Sequence, residues 1–61
     1  MTRIAKEVND NNVRYTYQVE NKNRVSYLVY NRSWIFKNST AAFGGWDMKR
    51  KCYYVTVQYA R

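Results

Sequence analysis

Residues 13–20 carry the clearest pattern in the chain, with Val13, Tyr15, Tyr17 and Val19 alternating against Arg14, Thr16, Gln18 and Glu20. Strand side chains point to opposite faces in turn, so this period of two predicts a strand with one face on a core and the other in water. Residues 51–60 repeat it, setting Tyr53, Val55, Val57 and Tyr59 against Cys52, Tyr54, Thr56, Gln58 and Ala60. A weaker version near the N-terminus places Ile4 and Val8 opposite Arg3, Ala5 and Glu7 and reads as a modest edge strand. Between the first two strands, Asn9-Asp10-Asn11-Asn12 stacks residues whose short side chains bond local backbone and tolerate left-handed conformations, which predicts a hairpin. Asn21-Lys22-Asn23 reads as a second turn, returning the chain antiparallel beside the strand it leaves.

Residues 24–37, RVSYLVYNRSWIFK, form the densest apolar run, around which the rest of the chain is expected to pack. Val25, Tyr27 and Val29 fall on one side of a strand and Leu28, Tyr30, Trp34 and Phe36 on the other, so a strand here is apolar on both faces and central. The polar triplet Asn31-Arg32-Ser33 divides it, either as a bend in one long strand or as a tight hairpin. A hairpin requires positive φ at its turn residues, which Arg resists, and the bend is the favoured expectation. Val25, Leu28, Val29, Arg32, Ile35 and Phe36 also approach the i, i+3, i+4, i+7 spacing of a helix. The absence of Ala, Glu, Gln and Met, and the wealth of β-branched and aromatic residues, weigh for strand.

Residues 38–49 break both periods. Ser39 is placed to cap one helical turn near residues 39–43, which Gly44-Gly45 ends, and Trp46 follows in an irregular connection of a length that is often functional. The expected fold is all-β: a small antiparallel meander of four or five strands, curled into an open barrel or a strongly twisted sheet. Without proline, repeat or linker, residues 1–61 read as one domain.

At 61 residues the chain buries only about 60% of the surface its unfolded form exposes, which leaves a thin margin of stability. That shortage, together with an N-terminal strand edge protected only by Arg3, Lys6 and Glu7, predicts a homodimer. Cys52 is the sole cysteine, so no intrachain disulfide or cysteine-based metal site is expected, and a reduced setting fits. The first twelve residues lack the apolar segment of a signal peptide, and no run reaches the roughly 20 apolar residues of a membrane span. A cytoplasmic protein with no membrane partner is therefore expected. Asn31-Arg32-Ser33 and Asn38-Ser39-Thr40 match the glycosylation pattern by chance in an Asn-rich chain.

Charge changes the picture most. Eleven Lys and Arg face four acids, a net charge of +7, and so imply a negatively charged partner: nucleic acid first, an acidic protein surface second. Chemistry is scarce. There is no His, and Glu7, Asp10, Glu20 and Asp47 are scattered near turns and strand ends, so no catalytic residues, metal or cofactor are expected and the chain does not read as an enzyme. Single-stranded nucleic acid is held by cations along its phosphates and by rings under its bases. Tyr30, Arg32, Trp34 and Lys37 supply both on the central stretch, and Trp46, Lys49, Arg50, Lys51 and Tyr54 supply both around the last connection. These nine residues are the candidate binding set for DNA or RNA. The same residue types dominate protein interfaces, and in size and composition the chain resembles small phage-encoded proteins that block a host enzyme or defence complex. A protein-binding inhibitor or adaptor is accordingly the alternative function.

Overall fold

A computed structural model describes residues 1–61. Four strands, β1 (Thr2–Val8), β2 (Asn12–Val19), β3 (Ser39–Asp47) and β4 (Cys52–Ala60), form one open antiparallel sheet in the order β1-β2-β4-β3. Between β2 and β3 lie α1 (Lys22–Tyr30) and the single turn α2 (Arg32–Ile35). The all-β antiparallel expectation holds for the sheet, and the helical part lies at 22–35 rather than near 39–43.

The two clean alternations fall where they were read. Tyr15, Tyr17 and Val19 pair with Val57, Val55 and Tyr53, so both apolar sets share one face, while Arg14, Thr16 and Gln18 pair with Gln58, Thr56 and Tyr54 on the other. Asn9 closes the first hairpin, its Oδ1 accepting from the backbone N–H groups of Asn11 and Asn12 at 2.9 Å. A bulge between Arg3 and Ala5 shifts the register of β1. Arg3, Lys6 and Val8 therefore lie opposite Tyr17, Tyr15 and Val13, whereas Ala5 and Glu7 turn to the far face. Arg3 thus shares a face with Val8 and not, as the simple alternation suggested, with Ala5 and Glu7, and Ile4 is the unpaired residue of the bulge.

The apolar stretch 24–37 is helical, neither a bent strand nor a hairpin. Asn21 caps α1, its side chain accepting from Arg24 N at 2.8 Å, so the expected turn at 21–23 is a helix start and β2 runs beside β1 and β4 instead. Val25 and Leu28 are buried and Val29 lies against them, an i, i+3, i+4 stripe whose burial on the sheet outweighs the strand propensity of its residues. Asn31 ends α1 with non-helical angles and donates from both its backbone N–H and Nδ2 to Tyr27 O at 3.0 Å. The polar triplet is thus the joint between α1 and α2. Val19, Val25, Leu28, Phe36, Val55 and Val57 make the core, with Val55 and Val57 wholly buried.

Residues 39–43, expected as a helical turn, are strand. Asn38, at φ 69°, turns the chain in the left-handed region that Asn tolerates, and β3 then runs through Gly44-Gly45 without stopping. Gly44 faces α1: a Cβ there would lie 2.9 Å from Val25 Cγ1 and collide with the backbone oxygen of Tyr54. Its bare backbone lets the helix lie close over the edge strand.

Candidate functional site: the α1 and β3 side

α1 packs on β3 and β4, leaving β3 as one outer edge of the sheet. From Ser39 to Trp46 this edge carries no charged residue. The opposite edge, β1, is guarded by its bulge and by Arg3, Lys6 and Glu7. Two shallow depressions of about 380 and 450 Å³ adjoin between α1 and β3. Val25, Ser26 and Gly44 line both, so they form one groove, with Lys22, Trp46 and Tyr53 at one end and Val29, Tyr30 and Phe43 at the other.

The nine residues picked out from the sequence do not converge. Tyr30 and Trp34 are 88% and 77% exposed on α1 and α2, because the helix turns them away from the stripe that meets the sheet. Arg32 is structural: its guanidinium donates to Ser39 O at 2.5 Å and to Ser39 Oγ at 3.2 Å, tying α2 to the start of β3. Lys37 is exposed in the turn between them. Trp46 is 52% exposed on the helix side of β3, its ring edge-on to Tyr53 with centroids 4.9 Å apart. Tyr54 projects from the opposite face of the sheet, since its neighbour in β4, Tyr53, shares the face of Trp46.

Lys49, Arg50 and Lys51 lie wholly in the turn before β4, so all three leave the strand register. Arg50 is held by Asp47, donating from Nη1 to Oδ2 at 2.8 Å, while Asp47 Oδ1 accepts from Lys49 N and Arg50 N. These backbone and side-chain bonds from Arg50, with a further one from Lys49, hold the Asp47 carboxyl below its ordinary pKa. Lys49 and Lys51 remain as the turn's unpaired cations.

The far face is a lattice of mutually satisfied polar groups. Thr16 and Thr56 share a hydrogen bond at 2.9 Å, Arg14 Nε donates to Gln58 Oε1 at 2.9 Å, and Glu7 stands 4.0 Å from Arg14. Both ion pairs of the protein, Glu7 with Arg14 and Asp47 with Arg50, lie on this face. On the helix side, beyond the reach of α1, Arg3 and Lys6 sit 5.3 and 5.9 Å from the Tyr15 ring centroid, and Tyr15 meets Tyr59 edge-on. Burial, then the neighbouring Tyr17 and Tyr15 hydroxyls, push the Tyr59 phenol up from its ordinary pKa.

Sequence reasoning missed Tyr27, Phe43, Ser26 and the Arg3, Lys6 and Tyr15 cluster. An uncharged run from 39 to 46 was a readable sign of an unguarded edge, whereas the cluster depends on a bulge that no alternation shows. Comparison with protein-family models, curated proteins and solved structures finds no match.

Proposed function

We propose that the chain captures another protein through its α1 and β3 side and acts as a stoichiometric inhibitor or adaptor. One observation carries this reading: all five exposed large rings, Tyr27, Tyr30, Trp34, Phe43 and Trp46, come from α1, α2 or β3. Trp and Tyr supply much of the binding energy of protein interfaces, and leaving so many rings uncovered on these three elements, with Phe43 on the far face of the β3 edge, is unfavourable without a partner. The protein acts by occupying its partner, since Glu7 and Asp47, the carboxylates bordering the far-face depression, are already paired with Arg14 and Arg50. Affinity capture with immobilised protein tests it. A single protein should be retained after nuclease treatment, and Tyr30→Ala/Trp34→Ala should weaken its binding at least about tenfold, as hot-spot truncation does. Retention that nuclease abolishes refutes the reading.

The Arg3, Lys6 and Tyr15 cluster favours a second reading, single-stranded DNA or RNA held on the β1 and β2 half of the helix side. No carboxylate of β1 or β2 turns to that half, because Glu7 points to the far face. Binding there should weaken with a slope near −0.7 in log salt per phosphate contacted, and Arg3→Ala/Lys6→Ala should flatten it. An unchanged slope in that variant removes this reading.

A further inference from the structure

We infer that the α1 and β3 groove takes an extended acidic segment of the partner protein, added along the β3 edge as a fifth strand; this rests on the protein-capture reading above. β3 is nine residues long, lies at the sheet edge, and has neither charge nor proline from Ser39 to Trp46. Beyond Ser39, whose N–H and carbonyl are taken by Phe36 O and Arg32, such an edge offers unpaired backbone donors and acceptors along its outer side. Strand addition uses those groups for affinity and pockets beside the edge for alternate side chains.

The groove supplies the pockets. Gly44 gives the groove a floor of bare backbone midway, on which Val25 packs so closely that a Cβ would collide with it. Tyr30 and Trp46 stand at its two ends, so every second side chain of an added strand meets apolar surface between two rings. Phe43, turned to the far face, covers the intervening side chains.

Charge fixes the character of the occupant. Lys22 lines the groove, Lys37 precedes β3, and Lys49 and Lys51 follow it. None of them is in an ion pair: α1 contains no acid, Asp47, the sole acid of β3, is bound by Arg50, and Glu20, which precedes α1, forms no salt bridge. A segment apolar in its middle and acidic at its ends is complementary to this arrangement. A second copy would bring its own net charge of +7 and the same lysines to the contact.

The test is titration of isotopically labelled protein with the synthetic nonapeptide Glu-Glu-Val-Thr-Val-Thr-Val-Glu-Glu at millimolar concentration, following backbone amide shifts and amide exchange. The expected result is shifts along β3 and the Ser26 face of α1, with slowed exchange of β3 amides. Strand amides alternate in direction, so N-methylation of one alternate set should weaken binding at least about tenfold while methylation of the other set leaves it intact. The lysine-ended counterpart, and the Ser26→Glu variant with its circular dichroism melt unchanged, should both bind at least about tenfold more weakly. Equal affinity of the two methylated peptides, equal affinity of the lysine-ended peptide, or no shift along β3 overturns the inference. So does a dimer in sedimentation whose β3 amides are protected without peptide, since a second copy then occupies the edge. If β3 ignores the peptide but Tyr30→Ala/Trp34→Ala still abolishes capture of a nuclease-resistant protein, strand addition falls and protein capture stands. If neither responds, both fall.

Discussion

Gly44→Ala tests the contact that creates the groove. A methyl group at this position would sit 2.9 Å from Val25 Cγ1 and against the backbone oxygen of Tyr54. Val25 is buried and Tyr54 belongs to the β4 ladder, so neither yields without disturbing the core or the sheet. Overpacking of this kind typically costs about 1 to 3 kcal/mol, against which the smaller unfolded-state entropy of Ala returns roughly 0.4 to 1 kcal/mol. A net loss of about 1 to 2 kcal/mol follows, a sizeable part of the roughly 3 to 9 kcal/mol that a domain of this size has in total. In a thermal melt it appears as a fall of very roughly 4 to 16 °C. Gly45→Ala is the control, because a Cβ there meets nothing within 4 Å, and its melt should be unchanged or slightly raised. Equal destabilisation by the two substitutions, in urea or thermal unfolding followed by circular dichroism, would refute the close approach of α1 to β3.

Leu28→Ala removes a side chain that is 1% exposed beneath α1, and its loss of about 2 to 5 kcal/mol should leave little folded protein in the same urea assay. Tyr17→Asp should unfold the domain, because Tyr17 shares the core face and stacks on Phe36 with centroids 5.9 Å apart, whereas Gln18→Asp on the exposed far face should be mild; equal losses would mean a wrong register. Tyr59, whose pKa is raised on folding, contributes stability that is present below the unfolded value near 10 and lost as pH rises through the folded value, so Tyr59→Phe should blunt alkaline unfolding in a pH series. Asp47 is shifted the other way: its contribution is present above its unfolded value near 3.8 and lost as pH falls through the folded one, a dependence that Asp47→Asn should remove from acid titration of the turn amides.

β2 and β4 were legible because their alternation is strict and both apolar sets are needed on one face, which forces Val13 to Val19 and Tyr53 to Tyr59 to cooperate. The helix was not. Val25, Tyr27, Val29 and Tyr30 favour strands when taken singly, and only the apolar face of the finished sheet, which requires a cover, selects the spacing of Val25, Leu28 and Val29. Asn21 was the local signal, a cap three residues before Arg24 that reads equally well as a turn. At 38–47 the two glycines suggested a stop, although Gly44 serves an approach between helix and strand that sequence cannot display. Tyr30 and Trp34 look like core in a two-sided strand and become exposed once the stretch is helical, so the candidate site changed with the secondary structure. The irregular stretch was legible as far as Lys49, but Lys51 read as the start of the last strand and instead closes the turn at φ 55°, and the pairing of Arg50 with Asp47 depends on how that turn folds back.

The central claim is that binding belongs to the aromatic α1 and β3 side rather than to the basic surface as a whole. The most direct measurement is the affinity of the captured partner across a salt series for Tyr30→Ala/Trp34→Ala and for Arg3→Ala/Lys6→Ala. The first pair should lose at least about tenfold at every salt concentration with its slope nearly unchanged, and the second should match the parent protein. Full affinity in the first pair, with a steep salt slope flattened by the second, would contradict the account and move the binding surface to the Arg3, Lys6 and Tyr15 cluster.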